Sequence, residues 1–337
     1  MENPIKTGLL AYGMSGKVFH APFIDKHPGF ELISIVERSK NDVLTDYPDV
    51  KQLREVDLLI NNPEIELIVV NTPNYTHFEY AKAALNAGKH VLIEKPLSVL
   101  RSEAEELYSL AFRKNLKVFA YQNRRFDSDY KSVKEILKSG KLGKIVEAHF
   151  RFDRYRDEIS YKFFKEQQIP GAGILYDLGA HIIDQAISLF GVPDDFYKTY
   201  SSNRKLTEVD DYAHVHLNYK NGTNIFITAN MLVADAPPAY SLYGTKGSFT
   251  KNRTDVQEEQ LLSGLKPDNE KYGIETAKGE GKLVYYTDAN ERKEELIGAE
   301  RGDYMALFDN VYDSIRTEKE YYVKQNEIIA QLSILQK

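Results

Sequence analysis

What most constrains this chain is the alternation that fills residues 1–121. Short runs rich in β-branched residues are separated by stretches of helical character. The runs are Ile5 to Ala11, Phe30 to Val36, Leu67 to Asn71 and His90 to Ile93, with Lys117 to Tyr121 closing the series. A strand that is apolar on both faces belongs inside a parallel sheet, because crossover helices cover both of its sides. A helical stretch follows from about Gly16 and is broken or kinked at Pro22. Between the third and fourth runs, Thr76 to Ala87 is rich in Ala and ends at Gly88, where glycine accepts the left-handed backbone that stops a helix. Ser102, with Glu105 three residues on, predicts a capping box that opens a helix over 103–114. Strand and helix in strict alternation predict a doubly wound parallel sheet.

Beyond residue 121 the period changes. A helix near 127–139 ends at Gly140, and Ile145 to Tyr155 then alternates apolar with polar residues, as a half-buried strand does. A helix over 173–190 follows. Tyr212 to Tyr219 and Thr223 to Met231 alternate on either side of Asn221-Gly222, a strong hairpin signal. Tyr240 to Gly244 reads as another strand, and residues 251–282, polar and rich in Gly, read as a long surface excursion. The tail returns to helix near 303–316 and 325–336. The expectation is two domains in 337 residues: 1–121, α/β with the doubly wound sheet, and 122–337, α+β with a mostly antiparallel, open-faced sheet.

Composition removes several function classes. Cysteine is absent, which excludes disulfides, thiolate nucleophiles and Cys-held zinc or iron–sulfur clusters. A net charge of −6 without basic runs argues against nucleic acid as a partner. The opening residues lack the pattern of a signal peptide, and the apolar runs are far too short for a membrane span. These signs together predict a cytoplasmic protein with no membrane partner. No metal site is expected: His214 and His216 share one strand face, but such a pair reads as sheet surface.

The turn after the first strand runs Ala11-Tyr12-Gly13-Met14-Ser15-Gly16. A dinucleotide-binding turn uses glycines for the tight bend, for close approach to the pyrophosphate and for packing helix on strand. Gly13 and Gly16 fill the second and third places, and Ala11 stands in the first. Backbone N–H groups at the start of the helix would face the phosphates. Glu37 lies 21 residues after Gly16, where an acid accepts from the adenosine ribose hydroxyls and favours NAD. Arg38, Ser39 and Lys40 follow at once and suit the 2′-phosphate of NADP. NAD and NADP both stay open.

Five motifs in order then carry a resemblance: Phe19-His20-Ala21-Pro22 after the glycine turn, Thr72-Pro73-Asn74 with His77, Glu94-Lys95-Pro96, Asn123-Arg124-Arg125-Phe126-Asp127, and Tyr176-Asp177 through His181 to Asp184. In these the chain resembles the glucose–fructose oxidoreductase/inositol dehydrogenase (Gfo/Idh/MocA) family over nearly its whole length, and within it the scyllo-inositol dehydrogenase branch. The resemblance implies an N-terminal Rossmann domain and a hydride-transfer site built from Lys95, Asp177 and His181. Residue chemistry points the same way. Oxidising a secondary alcohol needs a base at the hydroxyl, and histidine is poised for that near neutral pH. Asp177 and His181, four apart, share one helix face, so the carboxylate can orient the imidazole and stabilise its protonated form. Lys95 would offset developing alkoxide charge.

The resemblance also implies a Lys95–Pro96 bond that is often cis. Cofactor contacts are expected from Thr72, Pro73 and Asn74, whose loop follows a strand end, and from Glu94, while His77 is read equally as a cofactor contact or as a helix-face histidine packed against that loop. Asn123, Tyr155 and Arg156 are the substrate candidates, because a hydroxyl-rich ligand needs convergent donors and acceptors. Arg125 reads as a tie between domains, and Asp184 and Gln185 as structural groups of their helix. Where relatives carry Trp, this chain has Phe126 and the pair Phe164-Lys165, so the substrate pocket is expected to differ. The expected activity is NAD(P)-dependent hydride transfer at a hydroxyl or keto carbon of a cyclic polyol or sugar. The alternatives are an NAD-dependent glycoside hydrolase and a non-enzymatic nucleotide sensor. An open sheet face leaves apolar surface to cover, which predicts a homodimer or homotetramer.

Overall fold

Six short parallel strands form the first sheet of this computed structural model, which describes residues 3–160 and 166–337. In chain order they are β1 (Ile5–Leu9), β2 (Phe30–Val36), β3 (Lys51–Leu53), β4 (Leu67–Val70), β5 (His90–Ile93) and β6 (Val118–Ala120). Helices α1 (Ala21–Lys26), α2 (Asp42–Asp46), α3 (Val56–Ile60), α4 (His77–Asn86) and α5 (Arg101–Lys114) lie between them. The strand order is β3-β2-β1-β4-β5-β6. Direction of travel therefore reverses beside β1, which pairs with β2 on one side and with β4 on the other. Every residue of β4 is fully buried, as a central parallel strand requires. In such sheets ligands bind beyond the carboxyl ends of the strands, at this reversal.

Two expectations in this half need correction. The helix over 103–114 begins earlier, at Arg101, and the residue that closes its first turn is Glu103. Its Oε2 accepts from the backbone N–H groups of Val99 and Leu100, at 3.1 and 3.0 Å, which leaves Ser102 inside the helix. The chain between Val36 and Leu67 also holds β3, α2 and α3, elements too short to leave a period in the sequence.

The second sheet is built from eight strands. After α6 (Ser128–Lys138) come β7 (Ile145–Asp153), α7 (Ala180–Phe190), β8 (Asp195–Ser201), β9 (Tyr212–Asn218), β10 (Asn224–Asn230), β11 (Tyr240–Gly244), β12 (Gly247–Lys251), α8 (Gln257–Leu262), β13 (Gly281–Tyr286) and β14 (Arg292–Ile297). Their order is β14-β13-β12-β11-β7-β10-β9-β8. All neighbours are antiparallel except β7 and β10, whose residues pair in parallel from Glu147 with Asn224 onward. The hairpin forms where Asn221-Gly222 predicts it: β9 and β10 pair antiparallel, and Gly222 takes φ +86°. Helices α9 (Met305–Arg316) and α10 (Gln325–Leu335) close the chain.

The chain divides into two units. One holds residues up to Asn123 with Glu258–Tyr272 and Tyr304–Leu332; the other holds Arg124–Gln257, Gly273–Asp303 and Ser333–Lys337. The stretch 251–282 is thus more than a surface excursion. Gln257 and Tyr272 are buried, and in the first unit Tyr272 meets the Phe23 ring edge-on at 6.2 Å. In the second, buried Lys251 pairs with Glu275 at 2.8 Å. Polar composition hid these anchors, because each is a polar or amphipathic side chain with a partner. No helix among the described residues is long and apolar enough to cross a membrane.

Candidate functional site

The carboxyl ends of β1, β4 and β5 bring the N-terminal motifs together. Beyond β1, the backbone of Ala11 is held from both sides by Asn71, the first residue past β4. The Asn71 Oδ1 accepts from Ala11 N–H at 3.0 Å, and its Nδ2 donates to the Ala11 carbonyl at 2.8 Å. Asn71 closes the third sequence run, and nothing in the sequence marks it as functional. Behind this clamp, Gly16 is packed so tightly that a Cβ would lie 2.3 Å from the Ala11 carbonyl oxygen. Gly13, by contrast, faces open space, with no atom within 4 Å of where a Cβ would stand. One glycine lets the helix close on the turn and the other leaves bare backbone, which is the shape a pyrophosphate requires. The residues present therefore fit a dinucleotide.

The helix after the turn opens at Met14 and widens within two residues. Gly16–His20 is one turn of π-helix, closed by Ala21 N–H on the Gly16 carbonyl, and α1 follows with Pro22 in its first turn. Such wide turns recur at functional sites. This one places two side chains of the turn on one acid beyond β5. Ser15 Oγ donates to Glu94 Oε1 at 2.6 Å, and His20 Nε2 to the same oxygen at 2.9 Å. The Lys95 backbone N–H donates to Glu94 Oε2 at 3.1 Å. Burial alone would raise the Glu94 pKa; hydrogen bonds from His20 and Ser15 and the nearby Lys95 charge outweigh it and hold the carboxyl at about 2. His20 is fully buried, with its ring 4.4 Å from that of Tyr121. Its role was not legible in the sequence.

The Lys95–Pro96 peptide bond is cis, as the resemblance implies. Next to it, His77 bolts two strand-end loops together. Its Nδ1 lies 2.8 Å from the Pro96 carbonyl oxygen and its Nε2 2.8 Å from that of Thr72. Only an imidazolium donates to both. Burial pushes the His77 pKa below its usual range, so the neutral ring donates to one carbonyl at a time. Thr72 Oγ1 shares a hydrogen bond with Thr76 at 2.6 Å, and Thr76 donates on to the Pro73 carbonyl, which fixes the loop carrying Pro73 and Asn74.

At the end of β2, Glu37 is buried, whereas Arg38, Ser39 and Lys40 are exposed. Tyr12 is also buried and donates its hydroxyl to Asp46 at 2.8 Å; Met14 is half exposed beside the turn.

The second unit carries the other motifs. Asp177 lies in a second π-turn, Leu175–Gly179, that leads directly into α7, where His181 follows. Asp177 is exposed and His181 is buried. Arg125 grips Asp184 of α7 with two hydrogen bonds, at 2.8 and 2.7 Å, which ties the segment after Asn123 to that helix. Gln185 donates to the Arg124 carbonyl at 2.9 Å and accepts from buried Tyr240 at 3.1 Å. Asn123 is buried in the first unit; Tyr155 and Arg156, just past β7, are exposed. The Arg156 N–H donates to the Met231 carbonyl at 2.7 Å. Phe164 and Lys165 lie outside the described residues. On the sheet face, His214 and His216 bond to Thr228 and Asn224 and stack on the Phe226 ring.

Comparison with known proteins agrees with this geometry. Residues 5–122 match the NAD-binding Rossmann-fold domain, and residues 134–336 the C-terminal α/β domain, of the Gfo/Idh/MocA oxidoreductases. The scyllo-inositol 2-dehydrogenase (NADP⁺) IolW of Bacillus subtilis is 33% identical, over 98% of this chain and 92% of its own. The oxidoreductase YdgJ of Escherichia coli is 36% identical, over 100% of this chain and 96% of its own. Among solved structures, an oxidoreductase from Bacteroides fragilis superposes with a TM-score of 0.89 at 39% identity, covering 99% of this chain and 96% of that one.

Proposed function

Because the chain belongs to the Gfo/Idh/MocA family of oxidoreductases and is an NAD(P)-dependent dehydrogenase, we propose that its substrate is a cyclic polyol or a sugar of similar shape. One observation carries the hydride-transfer part of this reading. The open glycine turn, the Thr72–Asn74 loop and the Glu94-Lys95 pair all leave the carboxyl edge of one parallel sheet, and Ser15 of the turn bonds directly to Glu94. That couples the nucleotide-binding backbone to the residue beside the expected electrophile.

The chemistry divides among named residues. When bound, the nicotinamide supplies the acceptor or donor of hydride. His181 takes the hydroxyl proton during oxidation and returns it during reduction. Asp177 orients the imidazole and favours its protonated form. Lys95 offsets the negative charge that develops on the substrate oxygen. Glu94, held as a carboxylate by Ser15 and His20, anchors the Lys95 backbone. Asn123, Tyr155 and Arg156 supply donors and acceptors for a hydroxyl-rich ligand. The 33% identity to a scyllo-inositol dehydrogenase along nearly the whole chain supports an inositol-like ring as the substrate class.

We further propose that a second copy of the chain covers the open face of the eight-stranded sheet. Support comes from the half-exposed row of Tyr197, His216, Phe226 and His149 on neighbouring strands, with Tyr243 beside it. The activity is tested with Lys95→Ala and His181→Ala. Both variants are expected to bind the nucleotide and lose at least about a hundredfold in turnover; unchanged turnover in both would overturn the assignment.

A further inference from the structure

The acid at the end of β2 is tied up inside the fold rather than presented at the surface. Glu37 is only 6% exposed. Its Oε2 accepts from the Val43 backbone N–H at 3.2 Å and from Gln52 Nε2 at 2.7 Å. Its Oε1 is sealed from water with no hydrogen-bond partner. A ribose hydroxyl can only approach an acceptor that has accessible surface, and this oxygen has none. The loop that follows is folded down over the acid. Arg54 donates to the Glu37 carbonyl at 2.8 Å and to Asn41 Oδ1, and Gln52 donates to the Lys40 carbonyl at 2.8 Å.

What Glu37 holds is the glycine turn. Its grip on Val43 fixes α2, and α2 in turn carries two acids that face the turn. Asp46 accepts from the Tyr12 hydroxyl at 2.8 Å, and Asp42 from Lys17 Nζ at 2.5 Å. Next to Glu37, Arg38, Ser39 and Lys40 are exposed, and Arg54 is exposed as well. The Arg38 guanidinium is steadied by the Tyr80 hydroxyl at 3.3 Å. In this fold the end of β2 faces the adenosine ribose. A guanidinium, a hydroxyl and an ammonium suit a phosphate there better than a diol.

We propose that Glu37 is a positioning residue for the glycine turn, and that Arg38 with Ser39 and Lys40 selects the 2′-phosphorylated cofactor, NADP. This rests on the dehydrogenase reading above.

Equilibrium titration of the full chain with NADPH and with NADH, alongside thermal unfolding, tests it. The wild type is expected to bind NADPH more tightly. Arg38→Ala should weaken NADPH about ten- to a hundredfold, as losing a charge-assisted pair does, while NADH changes little. Glu37→Ala should lower the unfolding midpoint and weaken both nucleotides together. Glu37→Gln, whose amide oxygen still accepts from Val43 and Gln52, should restore both and keep the NADPH-to-NADH affinity ratio. The proposal is overturned if Glu37→Gln selectively loses NADH, if Arg38→Ala weakens both nucleotides alike, or if the wild type prefers NADH. Wild-type protein that binds neither nucleotide would instead overturn the dehydrogenase reading itself.

Discussion

Ala11 holds the first glycine place of the nucleotide turn without disturbing it, and the reason is spatial. Neither Gly13 nor Gly16 adopts a positive φ, and Ala11 does not either. The turn thus demands room rather than left-handed backbone, and only Gly16 is crowded enough to need its hydrogen. Gly16→Ala drives a methyl into the Ala11 carbonyl and the Asn71 amide. We expect it to cost about 1–3 kcal/mol in denaturant unfolding and to abolish nucleotide binding. Protonation has a clear sign at two groups, Glu94 and His77. The Glu94 pKa is depressed to about 2, so its contribution is fully present above the ordinary carboxylate value and is lost as pH falls toward 2. The His77 pKa is also depressed, and for a cationic group this favours the neutral ring. Below about pH 6.5 the unfolded chain takes up the proton first, so stability falls as pH drops. Unfolding free energies between pH 7 and 5 should therefore decline less in His77→Gln than in the wild type. Lys95, Asp177 and His181, the residues proposed for the chemistry, stand out in the sequence only through the motifs that hold them, because an Asp and a His four apart on a helix are by themselves an ordinary surface pair. The partners of Asn71 and His20 were not readable: Asn71 only closes a strand run, and His20 belongs to a motif that does not say what its ring bonds to.

At the scale of elements, long periodic segments were readable and short or polar ones were not. β4, fully apolar, and the β9–β10 hairpin around Asn221-Gly222 follow directly from pattern. β14 escaped because Arg292, Lys293, Glu294 and Glu295 leave no apolar alternation, as befits a strand at the sheet edge. The two π-turns also lack a signature, although both fall inside motifs that the sequence singled out. The start of α5 was misplaced because two acids stand two residues apart and only geometry decides which one caps. Glu103→Ala should therefore lower stability by about 1 kcal/mol, and Glu105→Ala by a few tenths at most. Equal losses in chemical unfolding would contradict the assignment of the cap.

For the whole molecule, the order of motifs along the chain foretold the family, because each motif sits where a strand or helix must end. The return of 258–272 and 304–332 to the first unit was hidden. Tyr272 is a single anchor among polar neighbours, and the apolar run Tyr304–Phe308 marks a buried helix face without saying which unit it packs in. The open face of the eight-stranded sheet makes a prediction on this scale: light scattering at micromolar concentration should give a multiple of 38.6 kDa. A mass of one chain would remove the proposed second copy. Hydride transfer itself is read from nicotinamide absorbance. Inositols and aldose sugars are offered with NAD⁺ and with NADP⁺, with Lys95→Ala run in parallel. The nicotinamide is expected to be reduced with a cyclic polyol, faster with NADP⁺, and the reaction is expected to be lost in the variant. No change with any polyol or sugar, or a rate that Lys95→Ala leaves intact, would contradict this expectation.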